Sequence, residues 1–197
     1  WSPAGVINEY INDAEAIHNG ERKMVPSLDG FEYINIGGRE FEAFTTSGGL
    51  GTMCETYAGK VDTLNYKTIR YPGHGKLMKF LLQELIMKED TKQLSAILEN
   101  AKLPVREDVV YIYAVVEGWK NGKIFRNEFF NSYSPIMIHG QEWRAISWTT
   151  SASIAAVVEM VDNGTLPSKG FIKQEDISYN KFMQTKNGAL YNQADKK

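Results

Sequence analysis

Residues 65–74, with the sequence NYKTIRYPGH, concentrate side chains that can bind an anion. Arg70 carries a planar guanidinium, which binds a carboxylate through two parallel hydrogen bonds. Tyr66 and Tyr71 can donate hydroxyl hydrogen bonds to the same ligand, and His74 can transfer a proton near neutral pH. The segment joins a strand-like run to a helix-like run, which is typical of anion-binding sites. We therefore predict that these four residues contact a substrate.

The same residues also have structural explanations. Arg70 could form a salt bridge with Asp62 or Glu84. The tyrosines could be half-buried residues of a sheet. His74 could serve as a helix cap or as a polar packing group. The sequence alone leaves both explanations open.

A second candidate site is the glycine-rich loop at residues 47–52, with the sequence SGGLGT. Glycines let backbone N–H groups approach a ligand, and the start of a helix favours an anion. We therefore predict that Ser47, Gly48, Gly49 and Thr52 contact the substrate. The alternative is a tight strand-to-helix turn that is capped by a serine or threonine hydroxyl.

Nothing in the sequence predicts a nucleotide or a metal site. The loop at residues 47–52 lacks the spacing of a dinucleotide fingerprint and is followed by no P-loop lysine, and Gly37-Gly38 is predicted to be a hairpin turn. We expect this chain to bind no NAD(P) by itself. No cysteine–histidine set has metal-ligand spacing, so we also expect no metal.

Composition narrows the class of protein. The chain has 197 residues, of which 43% are hydrophobic and 23% charged, as in a globular protein, and its net charge of −2 argues against a nucleic-acid partner. No apolar run approaches the ~18 residues of a membrane span. Cys54 is the single cysteine, so no internal disulfide can form, which suits a cytoplasmic location. The chain begins at Trp1 and has no signal peptide, and we interpret it as a piece of a longer protein.

Apolar periodicity and turn residues predict the elements that position these motifs. The predicted helices are residues 3–12, 52–60, 73–88, 91–102, 149–162 and 178–185. The predicted strands are residues 14–18, 21–25, 32–36, 39–45, 63–71, 109–119, 123–133, 141–147 and 171–172. Because hairpins dominate, we predict an α+β fold with a mostly antiparallel mixed sheet that helices cover.

Five segments resemble the C-terminal region of the saccharopine dehydrogenase family, in the same order. They are WSPAGV at residues 1–6, AFTTSGGLGTMCET at 43–56, LNYKTIRYPGH at 64–74, GFIKQEDI at 170–177 and GALY at 188–191. The resemblance covers nearly the whole chain. It implies one substrate-binding and dimerisation domain over residues 1–191, followed by a polar tail at 192–197.

The resemblance also implies a function. Family members are NAD(P)-dependent oxidoreductases that act on the CH–NH bond of an amino-acid-derived secondary amine in lysine metabolism. Their N-terminal Rossmann domain binds NAD(P), and their second domain shapes the substrate pocket and forms a homodimer through its sheet. By position, Arg70 and the loop at 47–52 would contact substrate, whereas Trp1, Ser2 and Gly5 would line the interdomain cleft. The chain alone is therefore expected to be inactive.

One departure from the family concerns Ala4, because some members have arginine there to hold a substrate carboxylate. Its absence argues against saccharopine itself as the substrate, although Lys60, Lys67 or His74 could compensate. The alternative function is a non-catalytic ligand-binding or dimerisation module with the same fold.

Overall fold

A computed structural model of the chain describes residues 2–101 and 105–194. The chain divides into two compact units, Trp1–Leu103 and Pro104–Lys197. The suggestion that residues 1–191 act as one functional domain stays a prediction.

The first unit opens with a helix and a hairpin that both match the prediction. Helix α1 (Pro3–Ile11) begins where the Ser2 hydroxyl accepts a hydrogen bond from the Gly5 amide at 3.5 Å, with proline in the first turn. Strands β1 (Ala14–His18) and β2 (Glu21–Val25) are joined by Asn19-Gly20, both with positive φ. This is the two-residue turn that the twist of a hairpin favours.

A second hairpin carries the strand that supports the candidate site. Strands β3 (Glu32–Ile36) and β4 (Arg39–Thr45) pair antiparallel as predicted. Helix α2 (Met53–Tyr57) follows and is shorter than the predicted 52–60 helix.

The prediction of one strand over residues 63–71 is wrong, because the segment divides between two sheets. Strand β5 (Thr63–Leu64) pairs with β1, and strand β6 (Lys67–Arg70) pairs with β4. The resulting sheets have the orders β2-β1-β5 and β3-β4-β6. Asn65 and Tyr66 form the crossing between them.

The long helix predicted over residues 73–88 is also interrupted. Helix α3 (His74–Lys79) passes into a π-helical turn, Phe80–Glu84, in which the Leu85 amide donates to the Phe80 carbonyl. Ile86 then has a φ of 55°, which ends the right-handed path. A 3₁₀ turn (Met87–Glu89) leads into helix α4 (Thr91–Ala101). The last predicted residue of that helix, Lys102, lies outside the described residues.

The core of the first unit lies between α1, β4, α3 and α4. Tyr10 and Phe44 pack edge to face, with ring centroids 5.7 Å apart, and Leu82 and Leu94 are fully buried beside them. The core therefore reaches the end of β6 and the start of α3, where Arg70 and His74 lie.

The second unit combines a long hairpin with a central helix. Strands β7 (Val110–Lys120) and β8 (Lys123–Tyr133) pair over eleven positions. Strands β9 (Ile136–Ile138) and β10 (Gln141–Trp143) form a smaller pair before helix α5 (Ala145–Asp162). The rest comprises a 3₁₀ turn (Gln174–Asp176), helix α6 (Tyr179–Met183) and a 3₁₀ helix (Gly188–Gln193).

Two predictions in the second unit are corrected. The strand at 141–147 ends at Trp143, because the Asp108 carboxylate accepts the amides of Ala145 and Ile146 at 2.7 and 2.9 Å and starts α5 early. Residues 171–172 form no strand, and Phe171 is 80% exposed. The 3₁₀ helix continues through Asn192 and Gln193, so these two residues of the predicted polar tail have regular structure.

The α+β class is confirmed. Within residues 2–101 and 105–194 every strand pairing is antiparallel, and the strands form four small sheets. No helix among these residues combines the length and apolar character that crossing a bilayer requires.

Candidate functional site

Arg70 lies at the end of β6, and its guanidinium is held by neutral oxygen atoms. Its Nε donates to the Tyr10 hydroxyl at 3.1 Å, and one terminal nitrogen donates to the Ile69 carbonyl at 3.0 Å. No carboxylate among the described residues lies within salt-bridge distance of this half-buried guanidinium. The alternative salt bridges with Asp62 and Glu84 therefore do not form. A guanidinium that only neutral oxygen atoms hold can bind an anion.

Tyr10 connects Arg70 to His74 and was missed by the sequence analysis. Its hydroxyl lies 3.0 Å from His74 Nε2, and its side chain is 3% exposed. Burial raises the pKa of the Tyr10 phenol, an effect that the nearby Arg70 opposes. The hydroxyl therefore stays protonated near neutral pH and can donate one hydrogen bond while it accepts another.

His74 is the first residue of α3 and lies against the aromatic core. Its ring stacks on Phe44, with centroids 6.3 Å apart and planes inclined by 13°, and meets Tyr10 edge to face at 5.9 Å. These contacts fix the orientation of the imidazole. The structure therefore brings His74 and Arg70 together around one phenol oxygen.

Glu42 positions the turn between β6 and α3. It is 1% exposed, and its carboxylate accepts hydrogen bonds from the amides of Gly73, at 2.7 Å, and Gly75. Glu42 lies opposite Arg70 in the register of β4 and β6, yet it binds these amides and not the guanidinium. Its oxygen atoms hold the backbone of this turn and make no salt bridge with the Arg70 guanidinium.

Gly75 is required by the close packing of α3 on the sheet. A Cβ atom at this position would lie 2.5 Å from a ring carbon of Phe31 and 2.8 Å from one of Phe44. The absence of a side chain lets the first turn of α3 approach the aromatic residues. This approach sets the position of His74, one residue earlier.

The glycine-rich loop is attached to the last turn of α1, next to Tyr10. The Ser47 amide donates to the Glu9 carbonyl at 3.1 Å. Because Glu9 precedes Tyr10 in α1, one helical turn holds both the loop and the Arg70 cluster. Gly48 has a φ of 86°, as a tight turn requires, and Thr52 immediately precedes α2.

Tyr66 and Tyr71 differ in how they relate to the Arg70 cluster, since the Tyr71 carbonyl accepts a hydrogen bond from the His74 amide at 3.2 Å, whereas Tyr66 packs on the glycine-rich loop. The Tyr66 ring covers Gly49 so closely that a Cβ there would lie 2.0 Å from the ring. Tyr66 is 42% exposed, and Tyr71 is 69% exposed on the turn before α3. The structure thus joins two predicted site residues, Gly49 and Tyr66, through packing. No hydrogen bond joins either tyrosine to Arg70 among the described residues.

Tyr66 also borders a cavity of about 270 Å³ in the first unit. Lys67 and Thr45, which line this cavity, face each other across β6 and β4 on the side opposite to Arg70. The cavity is lined by Ala14, Glu15, Ala16, His18, Val25, Pro26, Asp29, Gly30, Thr45, Asn65, Tyr66 and Lys67. Its charged groups are already paired, as in the Lys67–Glu32 contact at 3.2 Å.

The residues predicted to line an interdomain cleft have structural roles at the start of α1. Ser2 caps the helix, and Gly5 donates the capping hydrogen bond. Trp1 lies outside the described residues. Their part in a cleft stays a prediction.

The described residues do not fit a dinucleotide. The glycine-rich loop leads into a helix of only five residues, and Gly37-Gly38 joins two antiparallel strands. Neither forms the strand–loop–helix unit that holds a pyrophosphate. Across residues 2–101 and 105–194 no group of three His, Cys, Asp or Glu residues could hold a metal ion. Cys54 is buried, and this burial raises the pKa of its thiol.

The fold is thus an α+β structure in which hydrogen bonds join Arg70, Tyr10 and His74 into one cluster. A family model for the saccharopine dehydrogenase C-terminal domain matches residues 1–187. The chain belongs to this family. The match extends over both compact units and includes every residue assigned to the candidate site.

Proposed function

We propose that this chain is the substrate-binding and dimerisation part of an NAD(P)-dependent, saccharopine dehydrogenase-like oxidoreductase. The reaction would oxidise, or form by reduction, the CH–NH bond of an amino-acid-derived secondary amine in lysine metabolism. NAD(P) would bind a separate Rossmann domain of the parent protein. The chain alone would then lack dehydrogenase activity, and its cytoplasmic location is part of the same proposal.

The observation that carries this proposal is the state of the Arg70 guanidinium. It is half-buried, held by the Tyr10 hydroxyl and the Ile69 carbonyl, and unpaired with any carboxylate in the described part of the chain. A buried cation is stable when an anion balances its charge. A substrate carboxylate supplies that charge and accepts from the terminal nitrogens of the fork.

The other residues of the site would shape and support the pocket. Tyr10 holds Arg70 and is itself bonded to His74, and the loop at residues 47–52 is attached to the same turn of α1. Tyr66, Tyr71, Ser47, Gly48, Gly49 and Thr52 are proposed to contact the rest of the substrate. Such positioning of a substrate against a cofactor contributes several kcal/mol to catalysis.

The test is steady-state kinetics of the parent enzyme with the Arg70→Ala variant. We expect kcat/KM for the amine substrate to fall at least about tenfold, since a charge-assisted hydrogen bond contributes about 1.5–3 kcal/mol. Arg39→Ala, an exposed arginine at the start of β4, is the matched control and should retain wild-type kcat/KM. An unchanged kcat/KM in Arg70→Ala, with the fold intact by circular dichroism, would refute the assignment.

A non-catalytic module is the second candidate, and Ala4 favours it. The two functions differ in one measurement on the parent protein. Turnover of NAD(P) with an amino-acid-derived amine supports the proposal that the parent protein is an enzyme. Binding of the amine to a parent protein that shows no turnover supports the module.

Homodimerisation is proposed from the β7–β8 hairpin. Ile112, Val116, Phe125 and Phe129 share one face of this ribbon and are 37–65% exposed. The opposite face also exposes Val115, Trp119 and Ile124, but there Arg126 forms ion pairs with Glu117 and Glu128. An isolated two-stranded ribbon is only marginally stable in water, so the apolar face needs a covering surface. A second copy would supply an identical apolar face, as in a two-fold interface.

A further inference from the structure

The Tyr10 hydroxyl contacts the Arg70 guanidinium at one defined atom. Arg70 Nε can only donate, so the Tyr10 oxygen accepts this hydrogen bond, whose length is 3.1 Å. The terminal nitrogen Nη1 donates to the Ile69 carbonyl at 3.0 Å. Two oxygen atoms, one from α1 and one from β6, therefore hold the guanidinium in place.

These two hydrogen bonds leave one edge of the guanidinium open. A carboxylate that accepts two parallel bonds can approach Nε together with one terminal nitrogen, or both terminal nitrogens together. The Tyr10 hydroxyl occupies the only proton on Nε, which blocks the first approach. Nη1 keeps one of its two protons, and no described residue accepts from Nη2 of Arg70, so the second approach stays open.

Tyr10 is rigid enough to fix a flexible partner. Its side chain is 3% exposed, and its ring packs edge to face on Phe44, with centroids 5.7 Å apart. An arginine side chain samples many rotamers, and a ligand that immobilises it loses affinity through the lost conformational entropy. Because Tyr10 already restricts Arg70 in the folded chain, ligand binding avoids part of this loss.

Tyr10 orients the guanidinium without balancing its charge. Burial raises the pKa of the Tyr10 phenol, although Arg70 opposes this effect, so the hydroxyl is neutral near neutral pH. The Glu42 carboxylate bonds to the amides of Gly73 and Gly75 and makes no salt bridge with the guanidinium. A carboxylate on the open edge therefore still gains charge-assisted hydrogen bonds.

We infer that Tyr10 is a positioning residue, which holds Nε of Arg70 so that Nη1 and Nη2 together meet the substrate carboxylate. The carboxylate then lies beyond the two terminal nitrogens, in the plane of the guanidinium, and not beside Nε. Tyr10 acts through Arg70 and needs no contact with the substrate. This inference rests on the proposed function of Arg70 as a carboxylate-binding residue.

The test is a double-mutant cycle in the parent enzyme, measured by steady-state kinetics with the amine substrate. Tyr10→Phe keeps the buried ring and removes the hydroxyl. We expect KM to rise about threefold to tenfold and kcat to stay within about twofold, as for one hydrogen bond that aids substrate and transition state equally. In the Arg70→Ala background the same substitution should change kcat/KM less than about twofold, because the group that Tyr10 positions is absent.

Two further variants serve as controls. Tyr133→Phe removes the hydroxyl of another buried tyrosine, which accepts a hydrogen bond from Asn131 at 3.0 Å, and it should keep wild-type kcat/KM. Arg70→Lys is a second background, because lysine keeps the positive charge but has neither Nε nor the planar fork. Tyr10→Phe should again change kcat/KM less than about twofold in this background. Circular dichroism verifies the fold of each variant.

The open edge is tested by NMR spectroscopy of the arginine side chains in this chain, with glutarate as the probe. Glutarate is a dicarboxylate with no amine. We expect the Arg70 Nε proton to exchange slowly with water both without and with glutarate, and glutarate to slow exchange of the Nη protons. The Arg70→Ala spectrum identifies the signal by its absence. Fast exchange of the Nε proton in wild type, or on addition of glutarate, would overturn the inference without any variant of Tyr10.

The outcomes separate this inference from the proposed function. Unchanged kcat/KM in Arg70→Ala would overturn the carboxylate site and the inference with it. A loss in Arg70→Ala, together with equal effects of Tyr10→Phe in the wild-type and Arg70→Ala backgrounds, would overturn positioning and leave the carboxylate site standing. Unchanged kcat/KM in Tyr10→Phe, or a fall in kcat with no rise in KM, would also overturn the positioning role.

Discussion

Arg70 and His74 show how far a local sequence motif can identify a site. Both belong to the segment at residues 65–74 that the sequence singled out, and the structure brings them to one phenol oxygen. Tyr10 and Glu42, which hold them, were not predicted. Tyr10 is 60 residues from Arg70 and reads as an ordinary apolar position of α1, and Glu42 is 31 residues from Gly73. Sequence spacing carries no information about contacts at such separations.

A stability prediction at the residue scale concerns Gly75. Gly75→Ala would place a methyl group 2.5–2.8 Å from the rings of Phe31 and Phe44, so the rings or the start of α3 must move. We expect the free energy of unfolding to fall by about 1–3 kcal/mol, as for an overpacked core. Chemical denaturation monitored by circular dichroism measures this change.

Gly5→Ala is the control for Gly75→Ala. Gly5 lies inside α1, and an added Cβ would meet Ser2 at 3.7 Å, an ordinary contact. Alanine is favoured over glycine within a helix by up to about 1 kcal/mol, so this variant should match or exceed wild-type stability. Equal stability of Gly75→Ala and wild type would contradict the packing account of α3.

At the scale of elements, the sequence predicted the turns correctly but did not predict which distant strands pair. Asn19-Gly20 and Gly37-Gly38 correctly predicted two hairpins, because a two-residue turn fixes the pairing of its own strands. The segment at 63–71 divides between two sheets because its first part pairs with β1 and its last part with β4. These pairings join strands that are distant along the chain, so the local sequence does not predict them. The early start of α5 likewise depends on Asp108, which is distant along the chain.

Glu159 provides a prediction about how α5 holds the segment after α6. Its carboxylate accepts hydrogen bonds from the amides of Lys186 and Asn187, the former at 2.8 Å. Partial burial would raise the pKa of Glu159, but the bonds from Lys186 and Asn187 outweigh it and lower the pKa below its ordinary value of 4.5. The stabilisation is therefore present above pH 4.5 and is lost as pH falls through the lowered pKa.

We expect Glu159→Gln to lower Tm near pH 7 and to differ less from wild type near pH 3. Thermal unfolding at several pH values between 3 and 7 provides the measurement. Asp162→Asn, an exposed carboxylate at the end of the same helix, is the control and should change Tm little at any pH. If the difference in Tm between Glu159→Gln and wild type stays constant over this pH range, the charge of the carboxylate does not contribute to stability.

At the scale of the whole molecule, the class of fold followed from the order of elements, whereas the division into two compact units did not. The β7–β8 ribbon was predicted nearly to the residue. In the single chain both faces are largely exposed. A single sequence does not report whether another chain covers this ribbon.

The dimer proposal gives a matched pair of variants. Val116, on the apolar face of the ribbon, is 65% exposed, and Met24, on β2 of the first unit, is 62% exposed. We expect Val116→Lys to convert the dimer to a monomer, because it buries an unpaired charge in the proposed interface. Met24→Lys should remain dimeric, and sedimentation velocity at tens of micromolar distinguishes the two. A wild-type chain that sediments as a monomer at this concentration would overturn the proposal.

The central claim, that the Arg70 guanidinium binds a substrate carboxylate, is tested most directly by changing both partners. kcat/KM of the parent enzyme would be measured for wild type and Arg70→Ala, with the amine substrate and with analogues in which each carboxylate in turn is a carboxamide. We predict a loss of at least about tenfold from Arg70→Ala with the native substrate, and a loss below about twofold with one of the analogues. An equal effect of Arg70→Ala on the substrate and on every analogue would contradict the claim.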